Sequence, residues 1–301
     1  MKLIGWGQSD TGRKRNHNED SLLVDEKLRL FAVADGMGGH RGGATASSMA
    51  LDVLKRHMAA AIDNLAEVAA KIEADRRLEF VSSHGMGDAS DMDTVPALRL
   101  RLQNAPVPHS NGDDADTEVD LSSPPALTVM QAAAQEAGFE IFDAALADSS
   151  LRGMGTTLTA MLYDSGRMHV VHAGDSRAYL YRNGELDQLT EDHTWIAEQI
   201  RSGAMTAEEA RGSKYRHIIT RSVGFEREVE LDTLRVSVEP GDCFLLCSDG
   251  MSNYVGDAEL QTVMATCWFR RIPEYLTDLA NQRGGDDNIT VIVVQVVNHT
   301  G

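Results

Sequence analysis

The chain is 301 residues long, 42% hydrophobic and 25% charged, with 46 acidic against 28 basic side chains and a formal net charge of -18. That suits a soluble globular protein of one large domain or two small ones. It argues against nucleic acid or an anionic membrane as partner, because either is usually met by a basic face, and no apolar run approaches the roughly 18 residues of a membrane span.

The opening Met1-Lys-Leu-Ile-Gly-Trp-Gly-Gln has no long apolar stretch followed by a cleavage site, so no secretory signal is expected. Residues 22–24 and 28–34 read as neighbouring strands, the second alternating little, as a strand buried on both faces does. Residues 44–61, rich in Ala, Met and Leu, predict a helix. From about residue 73 to 125 the chain turns acidic and turn-prone, with Ser110-Asn-Gly-Asp-Asp-Ala-Asp and Ser122-Ser-Pro-Pro, and reads as a mobile insertion. A helix over 127–147 follows. Residues 156–163, 167–173 and 177–181 alternate well and predict an antiparallel meander, with Asn183-Gly184 as a hairpin turn. A polar helical stretch over 194–211 comes next, then strands at 231–238 and 243–248, helices at 257–267 and 272–283, and a last strand over 288–297. Strand runs interleaved with helix pairs predict an α+β domain with sheets inside and helices outside.

The three cysteines are too few, and odd in number, for a disulfide framework, which points to a reducing, cytoplasmic setting. Cys243 and Cys247 both lie in an apolar run and read as buried thiols instead of a metal pair.

Chemistry concentrates where apolar runs meet Asp-Gly. Leu30-Phe-Ala-Val-Ala-Asp35-Gly36 and Phe244-Leu-Leu-Cys-Ser-Asp249-Gly250 each carry a carboxylate that a core strand cannot hold without a strong partner. Asp-Gly is also an ordinary turn. The device recurs, however, at Val171-His-Ala-Gly174-Asp175 and at Gly284-Gly-Asp286-Asp287-Asn288. Asp35, Asp175, Asp249 and Asp287 together predict an oxygen-only centre for two hard divalent cations. Upstream, Arg13-Lys-Arg15-Asn-His-Asn-Glu19-Asp20 sets basic residues beside an acidic pair; Arg offers a planar fork for phosphate.

Taken together, Arg15, Asn18-Glu19-Asp20, Ala34-Asp35-Gly36-Met-Gly-Gly, Gly155-Thr-Thr, Gly174-Asp175-Ser-Arg177, Ser248-Asp249-Gly250 and Asp287-Asn288-Ile-Thr resemble the metal-dependent protein phosphatases. The closer likeness is to the bacterial type 2C serine/threonine phosphatases, over about residues 5–297. The resemblance implies an αββα sandwich, two mainly antiparallel sheets flanked by helices, forming a single catalytic domain over 1–301. It implies two core Mn²⁺ or Mg²⁺ ions and a weaker third. Asp35 would bridge the core pair, the Gly36 carbonyl would bind the second ion, and Asp249 and Asp287 would complete the first. Asp175 with Asp249 would hold the third. Arg15 would bind the substrate phosphate, and Glu19 and Asp20 would hold metal-bound waters.

The implied reaction is hydrolysis of phosphoserine or phosphothreonine by a metal-bridging hydroxide, with no protein nucleophile. Phosphorylated proteins, products of a cognate serine/threonine kinase, are the implied partners of a monomer acting in bacterial signalling. Residues about 193–225 correspond to that family's flap. Met37 stands where eukaryotic members have a proposed histidine acid, which leaves His40 as a nearby substitute or simply the start of the next helix. Asp286 should point away from its neighbour Asp287, as successive strand residues do. A catalytically silent phosphatase-like binding module is the alternative reading.

Overall fold

The computed structural model describes residues 1–39, 41–84, 124–211, 213–215 and 218–298. Strands β1 (Lys2–Asp10), β2 (Asp20–Asp25) and β3 (Leu30–Met37) lead into helices α1 (Gly42–Ala61), α2 (Leu65–His84) and α3 (Pro125–Ala147). A strand run follows: β4 (Gly155–Thr156), β5 (Leu158–Asp164), β6 (Arg167–Ala173), β7 (Arg177–Arg182) and β8 (Glu185–Gln188). Next come helices α4 (Trp195–Arg201) and α5 (Ala207–Arg211), then strands β9 (Asp232–Ser237) and β10 (Cys243–Cys247). Helices α6 (Asp249–Ser252), α7 (Asp257–Thr266) and α8 (Ile272–Arg283) precede the last strand, β11 (Ile289–Val297).

The strands form two sheets, ordered β1-β11-β10-β7-β8 and β2-β3-β5-β6-β9, with β4 added beside β3. Strand alternation builds three apolar layers from them. In β3, Leu30, Ala32 and Ala34 pack toward α1 and α3, whereas Phe31 and Val33 point between the sheets. In β10, Phe244 and Leu246 meet them there, while Cys243, Leu245 and Cys247 face Leu260 of α7 and Leu276 of α8. The result is helix, sheet, sheet, helix: the αββα sandwich.

Cys243 and Cys247 are buried in that outer layer, and burial pushes both thiols up to about 12. Among the described residues, no helix is long and apolar enough to cross a membrane.

Four details differ from the sequence expectation. Strand β1 was not foreseen, because Gly5 and Gly7 weaken strand propensity; at Gly5 a side chain would collide with Phe31 and Val24, which fill that space. Helix α2 runs on to His84, past the 73 at which the acidic segment was expected to begin. Residues 85–123 of that segment lie outside the described residues. The 194–211 stretch is two helices, broken at Ser202-Gly203, where Gly203 has φ +75°. Finally, β3 does not stop before Asp35 but continues to Met37, because β4 supplies a partner strand for Gly36 and Met37.

Candidate metal centre

Strand parity places the acidic residues. Asp35 follows Phe31 and Val33 at two-residue spacing, so it stands at the mouth of the space between the sheets. Its register partner on β2 is Asp20. Two carboxylates directly opposite across paired strands repel one another unless something else holds them. The other sheet delivers Asp249, the first residue of α6 just beyond β10, and Asp287, two residues before β11. The turn between β6 and β7 delivers Asp175.

Backbone and hydroxyl contacts hold these groups in place. Thr157, between β4 and β5, accepts the Asp35 backbone N–H on Oγ1 at 2.9 Å, and its own N–H donates to the Asp35 carbonyl at 2.8 Å. Ser248 Oγ reaches from one sheet to the other to donate to Asp20 Oδ2 at 2.8 Å. Asn288 Oδ1 accepts the Glu19 N–H at 2.8 Å, while its Nδ2 donates to the carbonyls of Thr11 and His17, both at 2.9 Å. That one amide ties the 11–19 loop to the start of β11. Gly36 must be glycine: a Cβ there would collide with the Gly43 carbonyl oxygen and crowd the Glu19 carbonyl.

The electrostatics are those of crowded acids. Burial, and then the charges of Asp20, Asp249, Asp175 and Asp287, hold the Asp35 carboxyl well above the usual carboxylate range. Burial likewise pushes Asp20 up to about 7, against the hydrogen bonds from Thr290 and Ser248 and with Asp249 and Asp287 adding to the rise. Asp175 is pushed up to about 8 by burial, Asp249 and Asp192. Asp20 Oδ1 and Asp175 Oδ1 are buried and accept no hydrogen bond, which is costly for a carboxylate. Among the described residues, no three acidic, imidazole or thiol side chains stand close enough together to hold a metal ion as they are placed. An all-oxygen donor set with orphaned buried oxygens fits a hard divalent cation, the partner that would cancel the repulsion.

Arg15 lies at the edge of this cluster, half exposed, donating to Asp287 Oδ2 at 2.7 Å. Glu19 is buried beside it. His40 lies outside the described residues. Asp286 turns away from the cluster to Tyr254 and Lys14. Sequence reasoning quoted Thr157, Ser248 and Asn288 but gave them no role, and it missed Asp192, whose two carboxylate oxygens accept from Nε and Nη2 along one edge of the Arg177 guanidinium at 2.8 and 2.7 Å. Ser248 and Asn288 adjoin the acidic motifs, which was their one signal; Thr157 and Asp192 adjoin none.

The 193–225 segment is tied to the same corner. The His193 N–H donates to the Gly174 carbonyl at 2.7 Å, and its Nδ1 accepts the Gly174 N–H at 3.2 Å. On the far side, His193 Nε2 lies 3.2 Å from Asp232 of β9, which also accepts from Arg221 at 2.9 Å.

Comparison with known proteins gives a consistent result. The Protein phosphatase 2C family model matches residues 9–286. Over 293 residues the chain is 32% identical to serine/threonine phosphatase stp of Listeria innocua, covering 96% of this chain and 94% of that protein. It is 33% identical to serine/threonine protein phosphatase PstP of Mycobacterium tuberculosis, covering 97% of this chain and 45% of PstP. The crystal structure of M. tuberculosis PstP/Ppp superposes with a TM-score of 0.74 at 30% identity, covering 99% of this chain and 100% of that one. A PstP catalytic domain in complex with 2 manganese ions superposes with a TM-score of 0.69 at 30% identity, covering 99% of each chain.

Proposed function

We propose, on the premise that this chain belongs to the protein phosphatase 2C family, a division of labour among its site residues. The chain is a metal-dependent serine/threonine protein phosphatase, and its substrates are phosphoproteins. The observation that carries the assignment of residues is the meeting of five aspartates from both sheets, two of them with orphaned buried oxygens.

In this reading Asp35 and the Gly36 carbonyl would hold two Mn²⁺ or Mg²⁺ ions, with Asp249 and Asp287 completing the first site and Asp175 with Asp249 holding a weaker third. When bound, such ions supply Lewis acidity and an activated water for in-line attack on phosphorus. The chain's own groups do the positioning. Thr157 fixes the backbone of Asp35 at both its N–H and its carbonyl, so only the side chain has to adjust to serve. Ser248 holds one Asp20 oxygen and leaves the other for a water. Asn288 sets the height of Glu19 through its backbone. Arg15, on the rim and half exposed, would exchange Asp287 for a phosphoryl oxygen, a transfer between two anions that its planar fork accepts equally. His40 is our candidate for protonating the leaving oxygen.

We further propose a bacterial signalling role for a cytoplasmic monomer opposing a serine/threonine kinase. Relatives named as phosphatases favour this active enzyme over a silent binding module.

Asp249→Asn tests the assignment. It should leave the circular dichroism spectrum unchanged and lower Mn²⁺-dependent hydrolysis of a phosphothreonine peptide by at least about 100-fold, the upper end of what losing a supporting group costs. Undiminished turnover would remove Asp249 from the centre. Anomalous scattering from Mn²⁺-soaked crystals would count the ions and name their ligands.

A further inference from the structure

Beside the acid cluster a cavity of about 230 Å³ opens between α4 and α6. Its two sides differ in chemistry. Ile196 and Ile200, one helical turn apart on α4, give it an apolar wall, with Ile200 exposed at the surface. Asn253 also lines it. Three carboxylates, Asp175, Asp192 and Asp249, line it together with one guanidinium, that of Arg177, and Asp175 is buried. Arg177 is already bound along one edge by Asp192, through Nε and Nη2, and at Nη1 by the Tyr179 hydroxyl, at 3.3 Å.

An apolar wall leading to an excess of negative charge matches one kind of side chain: a methylene stem that packs along the wall and a cationic head that reaches the acids. We propose that this cavity is a substrate subsite that takes an arginine or lysine flanking the phosphorylated residue of the polypeptide. The inference rests on the phosphatase reading and adds a preference within it. An acidic flanking residue would bring like charge to the carboxylates and be rejected. The formal charge of -18 draws basic segments toward the protein over longer range. A substrate cation and a third ion would be alternative occupants beside Asp175 and Asp249.

The test uses the Mn²⁺-loaded full chain and three substrates: phosphothreonine peptides carrying one arginine, scanned over three positions on either side; the same peptides with alanine or glutamate; and p-nitrophenyl phosphate, too small to reach the cavity. At one position arginine should raise kcat/KM about fivefold over alanine, the scale of one partly exposed charge pair, mostly through KM, with glutamate below alanine. Ile200→Arg, which fixes a cation on the wall, should abolish the preference, and Ile200→Glu should enlarge it. Neither should change turnover of p-nitrophenyl phosphate, which also reports that the variants fold. Equal kcat/KM for all peptides, or a preference that survives Ile200→Arg, overturns the subsite and leaves the phosphatase reading intact. Failure of the parent chain to hydrolyse any of these esters overturns both.

Discussion

Asn288 commits its whole amide to backbone groups on the 11–19 loop, accepting from Glu19 and donating to Thr11 and His17. Of the groups it would leave behind, the Glu19 N–H is buried and the Thr11 and His17 carbonyls are only partly shielded, so the losses run from the full roughly 1–3 kcal/mol for the first to less for the others. Asn288→Ala should therefore lower stability by about 3 kcal/mol in urea denaturation. It should also raise KM for phosphopeptide, because Arg15 sits on the released loop. Loss of kcat with unchanged stability would show the side chain acting in the reaction instead. At this scale the acids were legible in the sequence: a carboxylate at the end of an apolar run stands out because its burial is costly. The groups that hold them were not. Thr157, Ser248 and Asn288 are ordinary polar residues whose partners lie 122, 228 and up to 277 positions away.

Helix α4 illustrates how small elements carry the site's outer wall. Thr194 caps it, with Oγ1 accepting the Ala197 N–H at 3.1 Å, and Ile196 anchors it by burial. A seven-residue helix has little stability of its own, so the cap matters. Thr194→Ala should cost about 1 kcal/mol locally, seen as faster amide exchange across 195–201 while the core strands keep their protection. Uniformly faster exchange would mean that α4 unfolds only with the whole domain. Most strands and long helices were readable, since alternation in β5 through β7 and the Ala-rich runs of α1 and α3 follow local rules. Strand β1 was not, because its glycines answer to Phe31 and Val24 across the sandwich. The continuation of β3 past Asp35 was equally hidden, being decided by β4 more than a hundred residues later.

For the molecule as a whole, the raised acids make stability depend on pH and metal. Asp20 and Asp175 ionise at about 7 and about 8 in the fold, against an ordinary 3.8. A carboxyl with a raised native pKa contributes its full stability below 3.8 and loses it as pH climbs through the native value. His172, which burial and then His193 push down to about 4, acts oppositely, subtracting stability only as pH falls below its ordinary 6.5. Above that point the acids act without it. The Tm of chelator-treated protein should thus fall between about pH 6.5 and 8.5, and Mn²⁺ should raise it most at the upper end, where no protons compete for the carboxylates. A chelated protein that grows more stable across that window would contradict the clustering of these acids.

The sequence by itself determined the α+β class, most elements, the family resemblance and the costly acids at the strand ends, because periodicity and the cost of burying charge are local properties. Only the tertiary structure decided which acids face one another, which hydroxyls and amides hold them, and that α4 closes a cavity beside them. Those depend on register between strands far apart in the chain and on the packing of one sheet against the other, neither of which any single segment encodes.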